Sequence, residues 1–337
     1  MHSTVSPRCV KRCNFTVILT IILLFYGSIA GCAEGDAPVR FEWDAMGTRA
    51  ELLVRGHDAE EAGPELRDAA QAAISRVEAA LSVFLPKSDV ARVNAAAGNG
   101  KWVKIGPELS EVLSAALATA RSSGGAFNPL VTPFLEYYGF ARRPGGRAEA
   151  AEEPPSTDLL DLDAIEFDAA NARCRLTRPG MALDLGGCAK GYAVDVAIRE
   201  ATDALRERGF TADFLLNLGG NMKSGGGEWT IGVRDPLAAL SAPPLRTISL
   251  RSGEAVATSG SYERYVTGPD GTRISHILDP RTGKPAESEV LQVTVLAPDA
   301  LRADLFSTTL FVLGQSAGDR FLPQSCRAIW VLAPGGR

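Results

Sequence analysis

The stretch Leu183-Asp184-Leu185-Gly186-Gly187-Cys188-Ala189-Lys190-Gly191-Tyr192-Ala193-Val194-Asp195 passes from a strand-like apolar run to helical spacing across two glycines. It predicts a strand at 182–185 that carries Asp184 to its end, then a turn. In that turn Gly186 and Gly187 let the backbone approach a neighbour or ligand closely. A helix begins near Ala189 and is clear over 192–208. Main-chain N–H groups at such a helix start favour phosphate, and Lys190 adds positive charge. The segment is neither a Walker A loop nor a GxGxxG turn, so the standard nucleotide fingerprints do not apply. A glycine turn of this kind also serves packing, and the segment alone leaves both readings open.

Downstream of this segment the sequence predicts short strands near 214–216, 229–233, 248–250 and 290–296. A helix over 301–313 is closed by Gly314, and a last strand covers 329–332. Upstream, 165–167 and 174–176 read as a hairpin, 109–122 as a helix stopped by Gly124-Gly125, and 60–84 as a helix. In the last, Leu66, Ala70, Ala73, Ile74, Val77 and Leu81 fall at helical spacing. Residues 41–48 and 49–54 read as paired strand segments around a glycine turn. Residues 141–157, rich in Pro, Gly, Arg and Glu, read as a solvated loop. The sum is an α+β fold, mixed sheets with packed helices, without the βαβ alternation of a doubly wound sheet. Leu216-Asn217-Leu218-Gly219-Gly220 echoes 183–187, as two similar strand exits would.

The chain has 337 residues and a formal net charge of -5, which gives no electrostatic footprint for nucleic acid. Its N-terminus carries Arg8, Lys11 and Arg12, then an uncharged apolar run over 15–30 that is short for a bilayer-spanning helix. The run ends in Ile29-Ala30-Gly31-Cys32, which resembles a bacterial lipobox. The expectation is a lipoprotein signal peptide over 1–31, lipidation at Cys32, a tether over 32–40 and one domain over 41–337. The protein would then face the periplasm from a bacterial membrane. An ordinary signal peptide also ends in small residues. Cys9 and Cys13 leave with the signal, and Cys174, Cys188 and Cys326 have no CxxC spacing, so they read as small buried hydrophobes.

Two further segments can carry chemistry. In Ile274 to Pro285 (ISHILDPRTGKP), His276 is the one histidine in a plausible site, because His2 lies in the signal and His57 in a polar loop. Imidazole is the side chain best suited to move a proton near neutrality. In Arg302 to Thr309 (RADLFSTT), Asp304 and Thr308 are four apart on a helix and share a face. A carboxylate and a hydroxyl form a hard-oxygen pair of the kind Mg²⁺ accepts, and Ser307 lies beside them. A polar helix face is the plainer reading of that spacing.

Together with Met46-Gly47-Thr48, 81–94, Gly124-Gly125-Ala126-Phe127-Asn128-Pro129, Asn217-Leu218-Gly219-Gly220-Asn221, 229–236 and 257–265, these segments resemble the FAD:protein FMN transferases, the ApbE family. The resemblance covers about 41–333. It implies a T-fold-like architecture and an enzyme that takes FAD and Mg²⁺ and places FMN on a Thr or Ser hydroxyl, releasing AMP. The acceptors it implies are exported flavoprotein subunits of membrane redox complexes or reductases. It implies FAD contacts from Met46, Phe84, Ala126, Phe127, Asn128, Asp184, Lys190 and the backbone at Leu278. It implies metal ligation by the Gly187 carbonyl, Asp304 and Thr308, with His276 as proton acceptor and Asp304 in the catalytic set. Asn128 stands where the family usually has Asp, Cys188 where an apolar residue is usual, and Ser307 where some relatives carry a second Asp. Two other functions fit the same residues: an FAD pyrophosphatase in which water attacks, and a non-catalytic periplasmic FAD-binding lipoprotein.

Overall fold

The computed structural model describes residues 37–140, 153–239, 241–262, 265–267 and 273–334. The expected signal peptide over 1–31, Cys32 and residues 141–152 of the expected loop lie outside them. No helix among the described residues is long and apolar enough to cross a membrane.

A seven-stranded antiparallel sheet forms the centre. Its order is Val39–Ala45, Thr48–Arg55, Asp213–Leu218, Asn221–Ser224, Ala255–Gly260, Val290–Ala297 and Arg327–Leu332. The first strand begins at Val39, two residues before the expected start of the domain at 41. Among the described residues, seven α-helices accompany the sheet: α1 (Ala59–Leu81), α2 (Asp89–Ala95), α3 (Pro107–Ser122), α4 (Thr132–Tyr137), α5 (Ala189–Arg208), α6 (Ala300–Leu313) and α7 (Gln315–Phe321). Alternation along Thr48–Arg55 sets the layers, since successive side chains of a strand point to opposite faces. Ala50, Leu52 and Val54 join the core beneath α1 and α5, whereas Leu53 joins a smaller core on the other face with Leu215, Met222, Val256 and Leu296. The hairpin Trp229–Val233 with Arg246–Leu250 closes that second face through Trp229, Ile231 and Leu250. A three-stranded sheet of Val103–Lys104, Arg173–Leu176 and Ile165–Asp168 stands apart from the main one.

One end of the main sheet gathers tight turns. The Met46-Gly47 turn joins the first two strands with φ of 48° and 70°, and Gly219-Gly220 joins the next pair with φ of 58° and 93°. A Cβ on Gly219 would sit 2.5 Å from Thr48 Oγ1, so glycine is required for the two turns to lie side by side. Met46 is a non-glycine residue in the left-handed region, a conformation that costs roughly 1–3 kcal/mol and persists where surroundings impose it.

The expected strand at 182–185 is not formed. The bonds that a sheet neighbour would take are spent elsewhere: Asn94 accepts from Leu183 N (2.7 Å) and donates to Leu183 O (2.9 Å), and Asp184 N donates to Pro129 O (2.7 Å). The segment is extended but held by a side chain. The hairpin at 165–176, the later strands and the helices expected at 60–84, 109–122, 192–208 and 301–313 form close to where periodicity predicts them, with α1 ending at Leu81; α2, α4 and α7 are too short to show a period and were not expected. Ala255–Gly260 and Asn221–Ser224 lack a β-branched apolar run and carry little strand signal, yet they fill the sheet's middle. Small residues there let α6 pack closely.

Glu51 lies buried on the second face, with Arg40 Nε 2.8 Å away and Asn217 Nδ2 at 3.5 Å. Desolvation dominates and raises its pKa, while Arg40 opposes. A carboxyl whose folded pKa is raised contributes stability at low pH that is lost as pH rises through that pKa. Glu51→Gln is therefore expected to melt above the native chain at neutral pH, with the difference shrinking on acidification. Thermal melts across pH check this, and a lower melting temperature at neutral pH would contradict it.

Candidate functional site

The site is built where the starts of α5 and α6 cross. Gly191, in the first turn of α5, donates its N–H to Asp304 Oδ2 at 2.9 Å. A Cβ at 191 would lie 2.2 Å from Ala300 O and 2.7 Å from Asp304 Cβ, so no other residue permits this approach. Asp195, one turn further along α5, accepts from Ala300 N (3.0 Å) and Leu301 N (2.8 Å), which caps α6 from outside it. Lys223 Nζ bridges to Asp195 at 2.6 Å and ties both helices to the sheet. The sequence reading missed Asp195. Its place at the end of the 183–195 motif was the available signal.

Asp304 is 5% exposed, and burial raises its pKa while Lys190 and the Gly191 N–H oppose the rise. Its Oδ1 has no hydrogen-bond donor among the described residues. Thr308 lies one turn on, and a Cβ on Gly187 would meet Thr308 Oγ1 at 3.3 Å and Phe127 Cε2 at 3.2 Å. The glycine turn, the Phe127 ring and the Asp304–Thr308 face thus converge. Ser259 extends the cluster from the sheet, bonding Ser307 Oγ at 2.9 Å and reaching Thr308 Oγ1 at 3.5 Å. Ser307 also donates to Asp304 O at 3.0 Å, so its hydroxyl is tied into the packing. Among the described residues no cluster of three or more His, Cys, Asp or Glu side chains could hold a metal ion. A hard cation fits the set that is present: one oxygen of a buried carboxylate with no donor among the described residues, one hydroxyl and the main chain of a glycine turn.

Two of the remaining expected residues lie beside this centre. Asp184 Oδ1 accepts from Gly186 N (2.6 Å), and Lys190 Nζ donates to Gly186 O (3.1 Å), so both brace the glycine turn. Cys188 is buried, and desolvation followed by the nearby Asp304 and Asp184 carboxylates pushes its thiol well up, as expected for a packed residue. Ala126 and Phe127 are buried. Asn128 spends its amide within the fold, donating to Leu160 O (2.7 Å) and accepting from Leu130 N (2.9 Å). Leu278 is buried and paired with Pro285, and Ala286 N donates to Ile277 O (2.9 Å). His276 stands edge-on to Phe140, with centroids 6.2 Å apart, and Ile277 beside it shares a core with Ala126. Met46 packs against the helix-side core and donates its N–H to Glu78 Oε2 at 3.3 Å. Phe84 follows α1 and is 54% exposed, an unusual state for a large aromatic side chain.

A family model described as the ApbE family matches residues 46–330. A Klebsiella pneumoniae protein named FAD:protein FMN transferase is 35% identical over 251 residues, covering 74% of this chain and 76% of that one. A protein of that name from Treponema pallidum is 33% identical, covering 72% of this chain and 69% of the other. Among solved structures, the ApbE protein of Thermotoga maritima superposes with a TM-score of 0.74 at 31% identity, covering 88% of this chain and 94% of that one. The apo form of the Pseudomonas stutzeri flavinyl transferase ApbE gives 0.70 at 28% identity, covering 89% and 92%.

Asn94 is the residue on which the glycine turn hangs. Asn94→Ala leaves a buried N–H and C=O of Leu183 without partners, at about 1–3 kcal/mol each. Urea denaturation should show a loss of roughly 2–4 kcal/mol, accompanied by weaker FAD binding. Native stability in this variant would show that Asp184 is held by other means.

Proposed function

This chain belongs to the ApbE family, and from that premise we propose that it is an FAD:protein FMN transferase, with FAD as substrate and a protein as acceptor. The observation that carries the reading is the buried Asp304 carboxylate, one oxygen bonded to Gly191 and the other lacking a donor, set beside Thr308 and the Gly187 turn.

In this reading Asp304, Thr308 and the Gly187 carbonyl hold Mg²⁺. When bound, that ion neutralises charge on the pyrophosphate. The positive end of the α5 dipole lies beside this set and suits the negative charge of the phosphates, while Ala189 N and Gly191 N themselves are bonded to Leu185 O and Asp304. Lys190 and Asp184 keep the glycine turn in shape, and Met46, Phe84, Ala126, Phe127, Asn128 and Leu278 border the dinucleotide. An acceptor Ser or Thr hydroxyl then attacks the phosphorus that carries the flavin half. The new bond is from acceptor oxygen to that phosphorus, and the bond broken is the one linking it to the bridging oxygen. AMP leaves with that oxygen. The hydroxyl proton passes to His276, which thereby acts as general base. Exported flavoproteins of membrane redox complexes or reductases supply the acceptor. Lipidation at Cys32, facing the periplasm, belongs to the same proposal and rests on residues 1–32 alone. Residues 33–38 would then separate the lipid from the first strand.

Two substitutions test the assignment. Asp304→Asn keeps the shape and should lower FAD turnover by about 10³-fold, because charge stabilisation acts mainly in the transition state. FAD binding should survive within about tenfold. Turnover by Asp304→Asn at the native rate in the presence of EDTA would remove the metal from the account. For the base, single-turnover transfer by His276→Gln should be slower by roughly 10²–10⁴-fold. Native transfer should decline as the imidazole becomes protonated. Near-native transfer by the Gln variant would reduce His276 to a hydrogen-bonding role.

A further inference from the structure

Asn221 opens the short strand Asn221–Ser224 in the middle of the sheet. It is 4% exposed, and its Oδ1 is buried without a hydrogen-bond partner. Buried polar atoms are almost always satisfied, and one left bare costs about 1–3 kcal/mol. Its place in the sheet says what the bare oxygen faces. Asn221 pairs with Leu218, and Leu218 pairs with Ala50, both of which belong to the core beneath the helices. Paired residues share a face, so Asn221 points toward the helices. On its other side, the pairing of Met222 with Val256 continues to place Asn221 opposite Ala257, two residues from Ser259. Ser259 bonds Ser307 and reaches Thr308. The Gly219-Gly220 turn immediately before Asn221 lies against Thr48, next to the strained Met46. Asn221 thus stands between Met46 and the Ser259–Thr308 cluster, on the same face and at the same end of the sheet.

We propose that Asn221 Oδ1 is a substrate-binding acceptor, taking a hydrogen bond from a hydroxyl of the dinucleotide next to its pyrophosphate. An amide oxygen accepts from O–H or N–H donors, and sugar hydroxyls are the donors that flank a dinucleotide's phosphates on both sides. The fold leaves this oxygen unsatisfied in order to satisfy it with ligand, which exchanges stability for binding. The inference rests on the FAD-dependent reading above and extends it by one residue.

The test separates binding from packing. Asn221→Ala and Asn221→Leu both remove the acceptor, one leaving space and the other filling it. Neither should melt below the native protein without ligand, because an unsatisfied oxygen is lost. Both should bind FAD in the presence of Mg²⁺ about tenfold or more weakly, as for a lost buried hydrogen bond. FMN, which carries only the ribityl hydroxyls, and ADP, which carries only the ribose hydroxyls, identify the donor by which of them loses affinity. Native FAD affinity in both variants would overturn the proposal. A melting temperature that falls in step with affinity in both would also overturn it and make Asn221 a packing residue. Failure of the native protein to bind FAD would instead overturn the functional reading, and this inference with it.

Discussion

The contact between Gly191 and Asp304 is the constraint on which the rest of the site depends. Two helices approach at their N-terminal turns more closely than any side chain at 191 would allow, and the gap is bridged by one main-chain hydrogen bond of 2.9 Å. That bond and the Lys190 charge hold a carboxylate away from water at the positive end of α5, where a bare carboxylate would otherwise be costly. Asp195 fixes the same crossing from the other side by capping α6, and Lys223 anchors it to the sheet. The carboxylate, the Thr308 hydroxyl and the glycine turn are therefore set before any ligand arrives, the condition for electrostatic stabilisation of a transition state.

How much of this was legible in the sequence follows from the kind of bond involved. Helices with long apolar periods, such as α1 and α6, and strands with β-branched runs, such as 290–297, announce themselves through local pattern. The shared face of Asp304 and Thr308 is a consequence of helical spacing and was readable as such. The 182–185 segment has the composition of a strand, yet its partner is the Asn94 side chain, 89 residues away, and no local pattern encodes that. Asp195 and Asn221 each close a glycine motif, which marks their place but not their role. Each looks like an ordinary polar residue until tertiary structure places one on the α6 N-terminus and leaves the other buried without a partner. The resemblance to the ApbE family supplied what periodicity could not, namely that the glycine turn and the distant helix face serve one site.

Strain and exposure at the sheet's turn end have the same origin as the buried carboxylate. Met46 in a left-handed conformation, Phe84 open to solvent and Asn221 with a bare oxygen each cost stability. Costs of this kind gather where a protein is shaped for something other than its own packing. The face beyond the sheet, closed by the 229–250 hairpin, carries a continuous apolar core with Leu53, Met222 and Val256, and it supplies the rigidity against which the turns are held.

The central claim is that the cleft passes a flavin phosphate to a protein hydroxyl. Incubating the protein with FAD, Mg²⁺ and a candidate acceptor flavoprotein domain, followed by intact-mass measurement of the acceptor, tests it most directly. The account predicts that the acceptor gains the mass of one FMN less one water, with one AMP released for each modified acceptor. Release of free FMN and AMP at the same rate, with the acceptor's mass unchanged, would contradict it and make the protein a hydrolase of FAD.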